Sequence, residues 1–291
     1  MSTATGQITL RSPTPDDIET LSQIVFAAFG GIHDQHGFQR DFPTPETARG
    51  MMSAWVPHPK VWGVVAEIDG HIVGSNFIDE RDPILGIGPI TIDPKVQNSG
   101  VGRTLMEAVI ERGSGAPGIR LVQDGFHMRS LALYTSLGFE VTAPCIVMAG
   151  KPRSGPVAGI RVRPLEEADF DECAALCVKV HGFERTGSLR DSRATSTPLV
   201  AERDGRIVAY AAAPTYWPMS HGVAETDDDM KALLLAAAAE GGATVALLVP
   251  LLSGLFSWCL EEGLRALKPM NVMAMGSYQE PRGSWYPSVL Y

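Results

Sequence analysis

Polar and apolar positions along the chain predict the same run of elements twice. Ile8 to Arg11 precedes Pro13, and Asp16-Asp17 opens a helix with apolar periodicity through Phe29. Later, Ile160 to Pro164 precedes Asp169 and a second such helix through Val180. The next element also recurs. Val65-Ala66-Glu67-Ile68-Asp69-Gly70-His71-Ile72-Val73-Gly74 is echoed by Val200-Ala201-Glu202-Arg203-Asp204-Gly205-Arg206-Ile207-Val208-Ala209. Each reads as two strands joined at an Asp-Gly turn, a dipeptide that tolerates the positive φ angles of a tight hairpin. Strand, helix and hairpin, repeated in order, predict tandem domains of one α/β fold with a mixed sheet flanked by helices. The expected division is 1–150, a Pro/Gly/Ser-rich linker at 151–159, and 160–291.

The two copies then diverge. In the first, Gly30 to Pro45 is expected as an insertion, readable equally as a binding loop or a surface elaboration. After the first hairpin, the apolar run Ile84 to Ile92 predicts one central strand with Gly86 and Gly88 leaving space beside it. Asp93 to Arg103 then leads into a helix whose Val101, Leu105, Ala108 and Val109 share one face. A glycine loop between a strand and a helix N-terminus suits a phosphate group. Unpaired N–H groups point outward there, and Gly100 and Gly102 let an anion approach the backbone closely. The loop lacks the Gly-Lys-Ser/Thr of a P-loop and the third glycine of a dinucleotide fingerprint.

In the second copy, the strand expected around Gly222 to Glu225 meets Thr226-Asp227-Asp228-Asp229, and a helix runs on to Ala239. Three carboxylates at a helix N-terminus repel a pyrophosphate, so this half is not expected to bind one. Its expected roles are to complete the fold, wall a binding site in the first half or mediate assembly. The aromatic tail Ser277 to Tyr291 reads as a covering strand, part of a substrate pocket or a homodimer contact.

Composition narrows the picture. A formal net charge of −9 argues against a broad nucleic-acid footprint and against binding an anionic membrane. Cys145, Cys173, Cys177 and Cys259 are too few and too scattered for a disulfide scaffold. Met1 to Pro13 has no apolar h-region, and the expected location is the cytoplasm. Gly241 to Leu260 is uncharged and about long enough to span a bilayer, but Pro250, Ser253 and Gly254 interrupt it. It is expected as a strand, Thr244 to Val249, followed by a helix, Leu251 to Gly263.

Val96-Gln97-Asn98-Ser99-Gly100-Val101-Gly102, following Ile92-Asp93-Pro94, resembles the acetyl-CoA pyrophosphate loop of the GNAT superfamily of N-acetyltransferases. Ser130 to Phe139, with Leu133-Tyr134 and Gly138-Phe139, resembles the family's second motif, a short helix carrying a tyrosine. The resemblance spans roughly residues 6 to 150. It implies an acetyltransferase with acetyl-CoA as cosubstrate, no metal, and a small-molecule or peptide amine as acceptor. It also implies a sheet splayed between Ile84–Ile92 and Ile119–Phe126. Ile90, Thr91 and Ile92 would pair with the pantetheine arm, and Gln97, Asn98, Ser99, Gly100, Val101, Gly102 and Arg103 would hold the pyrophosphate. A backbone N–H near Ile90 or Thr91 would stabilise the oxyanion, and Tyr134 would be the general acid. His127 stands where members often carry a cofactor-contacting Asn.

The general base is not fixed by the resemblance. Asp79, Glu80, His33, Asp34, His36, Asp124 and His127 are the candidates; Asp79 and Glu80 end the preceding strand and could reach the cleft, and each candidate taken alone reads more readily as a solvated loop charge. His33 and His36 have a helical ligand spacing, but no third ligand accompanies them. An acyl-CoA-binding regulatory or assembly module without turnover is the alternative reading.

Overall fold

The computed structural model describes residues 6–239 and 242–291; the first five residues of the N-terminal stretch and Gly241 of the uncharged segment lie outside them. The first half runs β1 (Ile8–Arg11), α1 (Ile18–His36), α2 (Pro45–Trp55), β2 (Val61–Ile68), β3 (His71–Asp79), β4 (Leu85–Ile87), β5 (Thr91–Ile92), α3 (Val101–Arg112), β6 (Gly118–Asp124), α4 (Met128–Ser136) and β7 (Glu140–Gly150). The second runs β8 (Arg161–Pro164), α5 (Phe170–His181), α6 (Thr186–Ser192), β9 (Leu199–Arg203), β10 (Arg206–Ala211), β11 (Gly222–Ala224), α7 (Asp227–Ala239), β12 (Val245–Pro250), α8 (Gly254–Glu261), β13 (Arg265–Gly276) and β14 (Ser284–Tyr286). The architecture is mixed α/β with the same opening order in both halves.

The repeat extends to side chains. Arg11 pairs with Asp17 at 2.7 Å and with Glu67 at 2.8 Å. Arg163 pairs with Asp169 at 2.6 Å and donates through Nε to Glu202 at 2.8 Å. Each aspartate also caps the turn before its helix, accepting from the backbone N–H of Thr14 or Glu166 at 2.7 Å. Both hairpins turn on left-handed pairs, Asp69-Gly70 (φ 51°, 75°) and Asp204-Gly205 (φ 54°, 73°).

Two sheets result. The larger is ordered β1-β2-β3-β4-β6-β13-β7-β12, with β5 also on β3; the smaller is β14-β11-β10-β9-β8. The halves share the larger sheet. Strand β13, late in the chain, lies antiparallel between β6 and β7, pairing Val272 with both Val122 and Ala143. Met273 of β13 is accordingly buried in the core of the first half, with Leu105, Val109 and Phe139.

Four expectations need correction. Ile84 to Ile92 is not one strand but β4 and β5, interrupted at Gly88-Pro89-Ile90. Proline has no N–H for a ladder, and Gly88 has φ 136°. The expected insertion is helical through His36: α1 buries Gly30 and His33 and ends at Gly37, which adopts φ 73°. Gly30 and Gly31 are carried within the long helix because its other positions bury Leu21, Ile24 and Val25. Strand β6 stops at Asp124 rather than Phe126, where Gly125 N–H bonds the Pro269 carbonyl at 2.9 Å. The uncharged segment folds as β12 and α8, the helix starting three residues later than expected, after Ser253. Among the described residues no helix is long and apolar enough to cross a membrane.

Candidate active site

Where β4 ends, the sheet opens. Leu85, Gly86 and Ile87 pair in parallel with Ile119, Arg120 and Leu121. Beyond them β5 pairs only with β3, while β6 runs on to Asp124 along β13. The two backbones diverge, and a cavity of about 1650 Å³ begins in the gap.

The glycine loop closes one end of this cavity. Asn98 and Gly100 adopt left-handed φ of 70° and 89°, which turns the chain into α3. The first helical bond runs from Thr104 N–H to the Gly100 carbonyl at 3.1 Å, so the N–H groups of Val101, Gly102 and Arg103 precede any helix acceptor. Gly100 supplies no side-chain cap, and the first turn holds no acidic residue. The positive end of the helix dipole is therefore left to a ligand. A Cβ on Gly102 would stand 3.3 Å from Ile92 Cδ1, a tight contact with the end of that side chain. Arg129, on α4, holds the loop by donating to Gln97 Oε1 at 2.7 Å and Asn98 Oδ1 at 3.2 Å. Arg103 donates to Ser136 Oγ at 2.7 Å.

The residues singled out from sequence converge here. Ile90 to Ile92, Gln97 to Arg103, His127 and Tyr134 all line the one cavity. Tyr134 is almost fully enclosed, and burial raises its phenol well above the ordinary value, with the Asp124 carboxylate adding to the effect. It is therefore a protonated donor at neutral pH. His127 precedes α4, and burial together with Arg129 lowers its imidazole below the ordinary range. Thr91 is buried, 3.3 Å from Ser75 Oγ, which fixes its side chain inward from the gap.

The base candidates separate into groups. Asp79 and Glu80, which could have reached the cleft, do not line the cavity: Asp79 is buried against Arg81 at 2.7 Å, and Glu80 holds Arg112 at 2.7 Å. Asp34 is on the surface with Arg40. His36 Nδ1 lies 2.9 Å from the Ile32 carbonyl within its own helix. His33 is completely buried, its Nδ1 2.7 Å from the Phe29 carbonyl. Only Asp124 and His127 of the candidates line the cavity.

Two residues absent from the sequence reading complete this region. Asp41, from the α1–α2 connection, lines the cavity beside Asp124. Lys268, from β13, is 5% exposed and sits behind both carboxylates, 2.6 Å from Asp41 and 2.8 Å from Asp124. His33, Asp41 and Asp124 stand within metal-ligand reach of one another, and the Lys268 ammonium occupies the position between them. One signal for Lys268 was available: it is a lone charge between apolar residues, in Ala266-Leu267-Lys268-Pro269-Met270. The second half also walls the cavity, through Asp191, Thr195, Tyr216, Trp217 and Leu290.

Residues 27–139 match the family model described as Acetyltransferase (GNAT) family. A search of curated proteins found no match by sequence. Among solved structures, a putative acetyltransferase from Pyrococcus horikoshii aligns over 98% of this chain and 94% of its own, with TM-score 0.74 and 19% identity. A GCN5-related N-acetyltransferase from Sphaerobacter thermophilus aligns over 95% and 98%, with TM-score 0.62 and 15% identity. A tandem GNAT protein from the clavulanic acid biosynthesis pathway aligns over 96% and 99%, with TM-score 0.57 and 11% identity. At these identities the structural matches establish the fold. Residues 27–139 are thus similar to the GNAT acetyltransferase family, and the chain over nearly its whole length shares the fold of these structures.

Proposed function

We propose that the protein transfers an acetyl group from acetyl-CoA to an amine, with residues 1–150 as the catalytic unit and 160–291 as a unit that walls the acceptor site. The observation that supports this most is the uncapped N-terminus of α3 opening onto the same cavity as Tyr134. The pyrophosphate would sit on the N–H groups of Gln97 to Arg103, and the pantetheine arm would enter the gap beside Ile90 to Ile92. That places the thioester between the diverging strands. A neutral amine attacks the carbonyl carbon, and an N–H near Ile90 or Thr91 receives the developing oxyanion. When the tetrahedral species collapses, the C–S bond breaks and the protonated Tyr134 phenol supplies a proton to sulfur. A thiol has a pKa of about 8.5, so this assistance is modest.

Calorimetric titration with acetyl-CoA tests the reading. Binding near one equivalent per chain is expected in the wild type and not in Gly100→Glu. Absence of binding by folded wild-type protein would withdraw the enzyme reading, and turnover across a panel of amines would then complete the case only where binding is present.

A further inference from the structure

The end of the cavity away from the glycine loop has a charge balance that calls for a cation. Lys268 Nζ has three N–H donors and three partners: Asp41 at 2.6 Å, Asp124 at 2.8 Å and His33 Nε2 at 3.1 Å. His33 Nδ1 donates to the Phe29 carbonyl, so its Nε2 carries the lone pair that accepts from Lys268. All three ammonium protons are thus committed. Two carboxylates against one ammonium leave one negative charge, and it is largely removed from water: the Asp41 and Asp124 side chains are 15% and 9% exposed. Both carboxylates line the cavity, whereas Lys268 and His33 lie behind them. An uncompensated charge in such a place is costly.

Apolar surface frames the carboxylates. Phe42 follows Asp41 in the chain and packs edge-on to Phe29 at 5.2 Å between ring centroids. Tyr216 and Trp217 face them from the second half; the Trp217 ring lies 4.8 Å from Lys268 Nζ, and Asp41 adds to the rise in the Tyr216 phenol that burial begins.

We infer that Asp41 and Asp124 receive the ammonium of the acceptor and take its proton, and that the acceptor is a primary amine on an apolar or aromatic body. This rests on the acetyltransferase reading. One N–H bond of the ammonium breaks and its electron pair stays on nitrogen, while the proton goes to a carboxylate oxygen. The freed pair forms the C–N bond with the thioester carbon. The C–S bond electrons leave on sulfur, which takes the proton supplied by Tyr134. The second amine proton, lost as the amide forms, restores the phenol, and the carboxyl returns its own to solvent. Burial raises the Asp41 carboxyl, the direction a proton acceptor needs, while Lys268 opposes the rise and Asp124 adds to it. His127 and Tyr134 are the other titratable groups within reach of Asp124.

The test uses 2-phenylethylamine and its neutral analogue 2-phenylethanol as probes of the full chain saturated with CoA. The wild type should bind the amine at least tenfold more tightly than the alcohol. Asp124→Asn and Asp41→Asn keep an oxygen for Lys268 and should remove that preference, leaving the alcohol and acetyl-CoA affinities within twofold. Amine acetylation should fall about 100-fold in Asp124→Asn. Equal binding of amine and alcohol by the wild type overturns the proposal, as does a preference that survives in both variants. The acetyltransferase reading fails separately, if the wild type binds the amine and acetyl-CoA but forms no amide from this or any other amine.

Discussion

Each half of the chain opens on the same device, an arginine that ties a helix-capping aspartate to a glutamate of the next hairpin, and each follows it with a sharp Asp-Gly turn. After that the halves part at one junction, between the fourth strand and the next helix. In the first half β4 is followed by the short β5 and then the glycine loop, and α3 begins with no side-chain cap and no acid in its first turn. In the second, β11 leads directly into α7, whose first turn carries Asp227, Asp228 and Asp229. Thr226 Oγ1 donates to Asp229 and accepts from its N–H at 3.2 Å, so this helix start meets its own needs. The neighbouring strands differ in the same sense. β5, which continues from β4, pairs with β3 and not with β6, whereas all three residues of β11 pair with both β10 and β14. Tyr286 of β14 packs against Gly222 so closely that a Cβ there would overlap the ring. One half keeps a gap with a positive helix end, and the other fills the gap and supplies the negative charge itself. Likeness of form is therefore compatible with unlike cavities, and the two halves differ in the loop and the splay.

The comparison breaks most readily at the loop. Gly100→Glu should weaken acetyl-CoA binding by more than 100-fold, because it places a carboxylate beside the α3 N-terminus and a side chain on a residue with φ 89°. Unchanged affinity by calorimetry would show that the loop is only a turn. Tyr134→Phe comes next: turnover should drop about 100-fold with acetyl-CoA affinity nearly unchanged, since only a proton donor is removed. A rate equal to the wild type would take Tyr134 out of the chemistry. Stoichiometry sharpens the contrast further, one cofactor per chain being expected and two meaning that α7 binds despite its three aspartates.

The smallest effect concerns what the halves share. Arg11→Met and Arg163→Met should each cost about 1 kcal/mol, the scale of pairs near the surface, read from urea midpoints at pH 7. Arg11, by its hydrogen bond, holds the Asp17 carboxyl down to about 2, below the ordinary value near 3.9. A depressed carboxyl stabilises the fold above its unfolded pKa and ceases to do so as pH falls through the folded one. The penalty of Arg11→Met should accordingly be complete above pH 4 and shrink toward pH 2. A penalty independent of pH, or one confined to a single half, would deny that the two clamps are equivalent.

The repeat, its hairpins, the glycine loop and the Tyr134 helix were legible in the chain because each is specified within about ten neighbouring residues. Asp-Gly dictates a turn, and Gly100 a left-handed step, wherever they occur. Local pattern misjudged two stretches for opposite reasons. Gly30-Gly31 suggested a break, yet α1 continues because its flanks bury an apolar face; Ile84 to Ile92 suggested one strand, yet Pro89 cannot join the ladder. Beyond the reach of sequence lay the meeting of Asp41, Asp124 and Lys268, residues 144 and 227 positions apart from the lysine. Tertiary structure alone decided it, by inserting β13 between β6 and β7, so that backbone hydrogen bonding in the shared sheet delivers a buried ammonium to the carboxylates of the other half. The sequence by itself determined which loop suits a pyrophosphate. Which carboxylates line the cavity beside a buried ammonium follows from strand order, and strand order is set by the burial of both halves against one sheet, a property of the whole chain that no local pattern contains.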